Sequence, residues 1–226
     1  MKNLIAPLFL LVLFASCTSQ KNSDAFIKST EGRYLFNANE VIEIYFKEQT
    51  LFAKWRGNDD LKLLKVNDST FYMKELNEKM LFVSKPEMHI ELAPKTEHEG
   101  VKYYYKKLAK GEKTPFEYIE NNEFNKALFA YKLIKEKDSL NEVVKEYRLN
   151  RIGYKYIKNK EFDKAIEIFK INTVLYPKSS NTFDSLGDAY LKSKDTVNAV
   201  ISYKKALNIN PENRSSKRML KKITKK

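Results

Sequence analysis

Two aspartates, Asp184 and Asp188, have the spacing that most readily suggests acid–base chemistry. They lie four residues apart in "NTFDSLGDAYLKSKDTVNAV", where apolar residues recur with helical spacing, so one helix face would carry both carboxylates. A pair of carboxylates can serve as general acid and general base. The same stretch holds Gly187 in mid-pattern, although glycine lowers helix propensity. The role of the aspartates depends on why the glycine is there.

The two histidines of the chain, His89 and His98, could bind a metal ion with nearby acids. They lie in "HIELAPKTEHE", close to Glu91, Glu97 and Glu99. Zinc needs ligands that converge at about 2 Å. Strand alternation places His89 and Glu91 on one face, whereas His98 falls in a turn, so we expect a surface cluster. The sequence predicts neither a metal nor another cofactor.

The N-terminal segment "MKNLIAPLFLLVLFASC" predicts export. One lysine precedes an apolar run from Leu4 to Phe14, and small residues precede Cys17, the only cysteine in the chain. This is the layout of a signal peptide. An ordinary secretory signal with an incidental cysteine is one interpretation of it.

The segment also resembles the signals of bacterial lipoproteins, although Phe14 stands where that family prefers leucine. The resemblance implies cleavage after residue 16 and attachment of lipid to the sulfur of Cys17. Residues 1–16 would then be the signal peptide, and the polar residues 17–27 would be a tether. We expect an exported protein held by lipid at the outer membrane, facing the periplasm.

Residues 28–108 alternate apolar and polar side chains and predict β-strands. "VIEIYFKEQTLFAKW" is typical of a hairpin, and "LKLLKVNDSTFYM" of a second one that turns at Asn67, Asp68 and Ser69. About seven such strands predict an antiparallel meander or a small barrel.

This region resembles the small β domain that follows serine β-lactamase-like hydrolases in many bacteria. The resemblance rests on "GRYLF", "TLFAKW", "LKLLKVNDSTFYM", "KMLFV" and "YYYKKL". In such proteins the preceding domain carries the chemistry. The Ser-x-x-Lys motif of that hydrolase domain occurs once here, from Ser202 to Lys205, and we interpret it as a chance match. No acid–base partner or oxyanion site can be recognised near it. We therefore expect no catalytic residue and no enzymatic activity.

The second half of the chain repeats with a period of 34 residues. The matched pairs are Gly153 with Gly187, Tyr156 with Tyr190, Ala165 with Ala199, and Pro177 with Pro211. The period and these residue types resemble the tetratricopeptide repeat (TPR) family. The resemblance implies units at 146–179 and 180–213, each a pair of antiparallel helices. Gly187 is then a close-contact residue, with Ala199 as its complement across the pair.

A degenerate unit is expected at about 114–137, because "NNEFNKALFAY" copies "NKEFDKAIEIF". Thr114 and Pro115 predict the start of its first helix. About three units are needed to bury a continuous core, so we expect this unit to be structural and its irregular face to pack against the β domain.

The remaining helical signals complete a domain at 112–226. Ser139 with Glu142 predicts a capping box for a long helix that runs to about Asn159. Residues 214–226 predict a helix that caps the last repeat.

The formal net charge of +13 is concentrated in this last helix, since no acid follows Glu212. Seven cations do: Arg214, Lys217, Arg218, Lys221, Lys222, Lys225 and Lys226. A contact with anionic lipid headgroups or an acidic polymer is the alternative to a purely capping role. Export argues against nucleic acid as a partner.

The TPR resemblance also implies a concave groove lined by one helix of each unit. Carried over residue by residue, the lining positions are Tyr147, Asn150, Tyr154, Ile157, Lys158, Asn181, Asp184, Asp188, Leu191 and Lys192. This mixture suits an extended peptide or a helix of a partner protein. It lacks the paired lysines and asparagines with which some relatives bind a terminal carboxylate. Asp184 and Asp188 are therefore candidates for binding rather than catalysis.

The sequence thus predicts an α+β chain of two domains: an antiparallel β meander or small barrel, then a helical TPR solenoid of about three pairs with a capping helix. The expected function is that of a membrane-anchored scaffold that binds a protein or peptide in the cell envelope. One alternative is a non-catalytic accessory or regulatory remnant of a serine β-lactamase-like hydrolase. Another is a purely structural lipoprotein.

Overall fold

The computed structural model describes residues 21–224. Within this range an antiparallel β domain precedes a helical half, which confirms the predicted α+β class. The predicted signal peptide at 1–16 and the predicted lipidation site, Cys17, lie outside the described residues.

A short helix, α1 (Asp24–Thr30), lies near the start of the described chain. The side chain of Ser23 accepts a hydrogen bond from a backbone N–H of its first turn and caps it. Just before the cap, Asn22 is buried and donates from its backbone N and from Nδ2 to the carbonyl of Gln49, at 2.9 and 2.8 Å. The predicted tether at 17–27 is therefore too long, because the helix cap and the buried Asn22 attach this segment to the β domain.

The β domain is a meander of consecutive antiparallel strands. The strands are β1 (Gly32–Asn37), β2 (Glu40–Lys47), β3 (Thr50–Trp55), β4 (Asn58–Lys62), β5 (Leu64–Lys65), β6 (Thr70–Met73), β7 (Glu78–Val83), β8 (His89–Leu92) and β9 (Tyr105–Lys106). Strands β1 to β4 form one sheet and β5 to β9 a second. Tyr34 of β1 forms an antiparallel bridge with Lys107, so the end of the meander returns to its beginning. The strands outnumber the prediction because β5 and β9 have only two residues each.

Two turns at the same end of the meander differ in how well the sequence signals them. At the predicted turn, Asn67 Oδ1 accepts hydrogen bonds from the backbone N of Ser69 at 3.0 Å and of Thr70 at 2.8 Å. The β2–β3 turn is built by Glu48 and Gln49, whose φ angles are 47° and 65°. Two positive φ angles are typical of a type I′ turn, which usually carries Asn and Gly.

Aromatic and aliphatic side chains fill the interior of the β domain. Phe26 of α1 stacks on Phe71 at a centroid distance of 5.6 Å and meets Phe82 edge to face. Tyr34 is fully buried, and its hydroxyl donates to the carbonyl of Thr30. Helix α1 is therefore one wall of this core rather than part of a tether.

The helical half consists of helices that pack in consecutive pairs. They are α2 (Pro115–Glu120), α3 (Phe124–Lys137), α4 (Glu146–Lys158), α5 (Phe162–Leu175), α6 (Ser180–Lys192), α7 (Thr196–Ile209) and α8 (Arg214–Thr224). The pairs are α2 with α3, α4 with α5, and α6 with α7, while α8 packs on α7. We call α2, α4 and α6 the first helices of their units, and α3, α5 and α7 the second helices.

Glycine lies at the close contact inside each regular pair, as predicted. A Cβ placed on Gly187 would lie 2.6 Å from the ring of Tyr203, and one on Gly153 would meet the ring of Phe169. The ring of Tyr203, one turn after Ala199 on the same helix, is thus the first group that a side chain at Gly187 would meet. The glycine makes room for a buried aromatic ring of the second helix.

The long helix predicted from Ser139 to Asn159 is broken. A 3-10 helix (Glu142–Val144), capped by Asn141, ends at Lys145, whose ψ of 137° is extended. Helix α4 begins only after that residue. Val144 is fully buried and its carbonyl accepts a hydrogen bond from Tyr176 Oη at 2.9 Å, so tertiary contact holds the break.

The β domain packs against the degenerate first unit, as the sequence predicts. In the β1–β2 turn, Asn39 Oδ1 accepts from the backbone N of Phe116 at 3.1 Å, and its Nδ2 donates to Tyr131 Oη at 3.0 Å. Arg33 of β1 forms an ion pair with Glu117. The turn thus satisfies a backbone N–H in the first turn of α2 that has no partner within the helix.

Candidate functional site

The first helices α4 and α6 contact each other directly and form one continuous surface. Asn181 Nδ2 donates to Glu146 Oε1 at 3.0 Å, and Tyr154 Oη donates to Asp188 Oδ2 at 2.9 Å. We call this surface, which carries the ten predicted groove residues, the groove face. The structure brings these residues onto neighbouring helices but buries them to different degrees.

Exposure divides the ten residues into three groups. The exposed ones are Tyr147, Tyr154, Lys158, Asn181 and Lys192. The half-buried ones are Asn150, Ile157, Asp188 and Leu191, and the buried one is Asp184. Tyr147 and Tyr154 have 56% and 39% of their surface exposed, so both rings are accessible from solvent.

Asp184 lies under the capping helix and is not part of the accessible groove face, which corrects its predicted place. Ser216 of α8, itself fully buried, donates from Oγ to Asp184 Oδ1 at 2.5 Å. Burial raises the pKa of the Asp184 carboxyl above its ordinary value of 3.8, and the Ser216 hydrogen bond opposes this only in part. The period of 34 residues could have indicated the contact, because Ser216 follows Thr182, also fully buried, by one period.

Asn150 occupies in α4 the place that Asp184 occupies in α6. Its Oδ1 atom is buried without a hydrogen-bond partner. This position therefore has a buried side-chain oxygen in both units, and in the last unit it is bound by α8.

Asp188 is a hydrogen-bond acceptor that holds three helices together. It accepts from Tyr154 Oη of α4 at 2.9 Å and from Tyr203 Oη of α7 at 2.6 Å. Burial, and then this carboxylate, raise the pKa of the Tyr203 hydroxyl, so the phenol keeps its proton. With Asp184 bound to Ser216 and Asp188 to two phenols, the aspartates do not form a pair suited to acid–base catalysis.

Four cations form a stripe along α4, beside the groove face. Arg148, Arg151, Lys155 and Lys158 recur at intervals of three and four residues. Arg151 and Lys155 line a cleft between α2 and α4 together with Phe116, and the acids Glu120 and Glu161 line it as well. Of these four cations the predicted groove positions include only Lys158, although the helical spacing of the others is visible in the sequence.

The two histidines lie in separate places and have different carboxylate neighbours, so the expected surface cluster is wrong. His89 is buried, with Nε2 3.0 Å from Glu91 Oε1 and Nδ1 2.8 Å from the carbonyl oxygen of Glu87. His98 lies in a 3-10 helix (Thr96–His98), with Nε2 3.3 Å from Glu78 Oε1. Among residues 21–224, no group of three or more His, Cys, Asp or Glu side chains could hold a metal ion.

Ser202 and Lys205 do not form a nucleophilic site. Ser202 is buried, and its Oγ donates to the carbonyl of Asn198 one turn earlier at 2.8 Å. The Lys205 ammonium lies 5.9 Å from the ring centre of Phe183. The serine thus serves its own helix.

Within the described part of the chain, none of the helices combines the length and the apolar character needed to cross a membrane.

Comparison with known proteins places a repeat in the C-terminal half. Residues 181–213 match the sequence profile of the tetratricopeptide repeat family. The C-terminal half therefore contains a tetratricopeptide repeat, and the match corresponds to the unit that the sequence predicts at 180–213. No curated protein matches the chain.

Several solved structures are similar to about half of the chain. The first TPR of Spaghetti (RPAP3) bound to the HSP90 peptide SRMEEVD is 20% identical, with 49% of this chain and 85% of that chain covered and a TM-score of 0.34. The Sgt2 TPR domain from Aspergillus fumigatus is 22% identical over 49% and 72%, with a TM-score of 0.35. The N-terminal domain of stress-induced protein-1 (STI-1) from C. elegans is 17% identical over 49% and 87%, with a TM-score of 0.32.

Proposed function

We propose that this protein is a scaffold that binds a protein or peptide on its groove face, without catalysis. The observation that carries the proposal is the exposure of Tyr147 and Tyr154 on the joined surface of α4 and α6. Aromatic side chains on a rigid support are the residues that most often dominate binding energy at interfaces.

The chemistry of the groove face suits a segment that presents both apolar and polar groups. Tyr147 and Tyr154 offer apolar ring surface, while Asn181 and Lys158 offer hydrogen-bond donors. The cleft beside them is lined by the cations Arg151 and Lys155 and by the acids Glu120 and Glu161, so it favours a segment that carries both charges. An extended peptide or one face of a partner helix meets these requirements.

Two exposed residues of α4 test the groove face without disturbing the helical core. The double variant Tyr147→Ala with Lys158→Glu should reduce cross-linked partner in intact cells by about tenfold, the usual effect of losing an aromatic anchor at an interface. Asp188 is unsuitable for this test, because its loss would leave the buried Tyr203 hydroxyl unpaired.

The matched control makes the same chemical changes on the second helices. Phe129 of α3 is 64% exposed and Lys204 of α7 is exposed, so Phe129→Ala with Lys204→Glu changes an aromatic and a charge away from α4 and α6. Equal partner capture by both double variants, each with an unchanged unfolding midpoint, would refute binding on the groove face.

We further propose that lipid on Cys17 anchors the protein at the outer membrane, facing the periplasm. The support is the signal-like pattern that ends at this residue, the only cysteine in the chain. Cys17→Ser should abolish incorporation of labelled fatty acid and move the protein from the membrane fraction to the soluble fraction. Unchanged sedimentation with membranes would contradict lipid anchoring.

The exposed cations of α8 are proposed to contact an anionic surface. Lys221 and Lys222 point away from the core, whereas the apolar residues of the helix are half-buried. Lys221→Glu with Lys222→Glu should lower binding to anionic liposomes, and added salt should reduce the difference. Removing α8 would be a poor test, because it would uncover Asp184.

A further inference from the structure

The folded part of the β domain begins within a few residues of the proposed lipid. Lys65 Nζ donates to the carbonyl of Lys21 at 3.0 Å, and Asn22 is bound to Gln49. The chain is therefore attached to the β domain from Lys21 onward. Only residues 18–20 separate this point from Cys17.

This short interval limits how far the β domain can stand from the bilayer. An extended chain advances at most about 3.6 Å per residue, so the Cα atoms of Cys17 and Lys21 lie no more than about 14 Å apart. The acyl chains place Cys17 at the headgroup level. Whatever surrounds Lys21 on the folded surface must therefore lie at or near the headgroups.

The surroundings of Lys21 form one end of the meander, which we call the anchor end. It comprises the segment before α1, the β2–β3 turn, and residues 62–69, because Lys65 contacts Lys21 and Gln49 holds Asn22. Leu64 and Val66 lie here with 51% and 44% of their surface exposed. Leu64 begins the two-residue edge strand β5, and Val66 lies in the bend that follows it.

A single exposed aliphatic side chain is common on a protein surface. This pair differs because charged and polar side chains flank it, and such side chains can interact with lipid headgroups. Lys62 is exposed beside Leu64, and Asn67 and Asp68 are exposed beside Val66. An apolar tip surrounded by lysine and polar side chains is the pattern of residues that enter the membrane interface.

From the tether length and this exposed pair we propose that the anchor end contacts the bilayer, with Leu64 and Val66 at the level of the headgroups and upper acyl chains. The inference rests on the proposed lipidation of Cys17. It goes further, because it fixes which face of the β domain meets the membrane.

The same placement keeps the contact between the β domain and the first helical unit away from the lipid. Strand β2 runs from the β1–β2 turn, where Asn39 contacts Phe116 and Tyr131, to the turn that holds Asn22. A strand of its 8 residues spans roughly 23 Å at about 3.3 Å per residue. The contact with the helical half and the anchor end therefore lie at opposite ends of β2.

Site-specific fluorescence can test the orientation, because Cys17 is the only native cysteine and its sulfur carries the lipid. An introduced cysteine is then the single free thiol of the lipidated protein. Leu64→Cys and Lys62→Cys would each be labelled with the environment-sensitive dye NBD in vesicles of phosphatidylethanolamine and phosphatidylglycerol. Both labels should gain at least about twofold in emission over the same labelled variants with Cys17→Ser, which carry neither the lipid nor a second thiol, and spin-labelled lipid should quench them.

Val101→Cys is the matched control. Val101 is 54% exposed and follows the 3-10 helix next to the β6–β7 turn, where Lys95 Nζ donates to the carbonyl of Asn77 at 3.0 Å. This turn is at the other end of β6 and β7 from the anchor end. The Val101 label should neither gain emission nor be quenched.

The outcomes separate the two proposals. Protein that remains on the vesicles with equal signals at Leu64, Lys62 and Val101 would overturn the orientation and leave lipid anchoring in place. Protein that does not remain on the vesicles would overturn both. Lys62→Cys matters because it labels the anchor end without removing either aliphatic side chain.

Discussion

Gly153 and Gly187 each lie against an aromatic ring of the second helix in their own unit. The Tyr203 ring is fixed on both sides, since it is fully buried and its hydroxyl donates to Asp188 at 2.6 Å. The ring cannot shift to admit a methyl group without losing this hydrogen bond. Glycine is required there by packing, not by backbone conformation.

Gly187→Ala should therefore destabilise the protein by roughly 1–2 kcal/mol. Overpacking a core typically costs about 1–3 kcal/mol, and alanine recovers up to about 1 kcal/mol as the better helix former. The measurement is urea unfolding followed by circular dichroism, with the exposed Lys192→Ala on the same helix as control. A midpoint equal to that of the control would show that the ring has room to move.

Asp184 gives a prediction about pH. Its folded pKa is raised by burial, so the folded state binds the proton more tightly than the unfolded state. Stability due to this group is fully present below the unfolded value near 3.8 and is lost as the pH rises through the folded pKa. Asp184→Asn, which cannot ionise, should flatten this decline and raise the melting temperature at neutral pH.

Melting curves from pH 3.5 to 7 would measure the effect, with Asp163→Asn on the exposed surface of α5 as control. Asparagine keeps an oxygen that can accept from Ser216 Oγ, so the hydrogen bond itself is retained. Parallel pH profiles for the wild type and Asp184→Asn would contradict a raised pKa.

The sequence identified these residues more successfully than it identified their contacts. The 34-residue period marks Gly187 as a position that must be small, but many neighbours across a helix pair would give the same pattern. Only the side-chain directions show that Tyr203 fills the space and that Ser216 covers Asp184.

Among the elements, α2 depends most on outside support, because it has only 6 residues. An isolated helix of this length does not form in water. Thr114 caps it from within the chain, and Asn39 of the β domain accepts from the backbone N of Phe116. One side chain therefore connects a β-turn with both α2 and α3.

Asn39→Ala should lower the free energy of unfolding by about 2 kcal/mol. It removes two hydrogen bonds and leaves the N–H of Phe116 and the buried hydroxyl of Tyr131 without their partner, and each such loss costs about 1–3 kcal/mol when the group stays dry. Denaturant unfolding gives the value. The control is Asn58→Ala, at the exposed start of β4; a similar loss in both variants would mean that the turn, and not the contact, matters.

The boundaries of helices and strands were predicted correctly where side chains close in sequence determine them. The Asn67 turn and the Thr114 cap are made by side chains within three residues, and both were predicted. The break before α4 was not predicted, because it depends on Tyr176 binding the carbonyl of Val144 from 32 residues away. The β2–β3 turn was predicted near Lys47 to Thr50 from the alternation on both sides of it, and the pairing of the two strands confirms it, although Glu48 and Gln49 are not the usual residues of a type I′ turn.

At the scale of the whole molecule, the β domain covers the exposed end of the first helical unit, and α8 covers the end of the last one. Arg33 and Asn39 cover the open end of the solenoid at α2 and α3, and α8 covers the opposite end at Asp184. Repeat proteins need such terminal covers, because inner faces are apolar. The sequence predicted two domains and their contact, whereas the long-range hydrogen bonds that make the contact have no local pattern.

The position of α8 makes the chain extensible. Ser216 stands one period after Thr182, both are fully buried, and each begins a helix that rests on the second helix before it. If a duplicate of residues 180–213 were inserted after Asn213, its first helix should pack on α7 where α8 packs now. Its copy of Thr182 would then place a hydroxyl next to Asp184, as Ser216 does. The lengthened protein should melt at a higher temperature, and its circular dichroism should increase by the helical content of one more pair. The length of the solenoid could then be chosen by the number of inserted repeats.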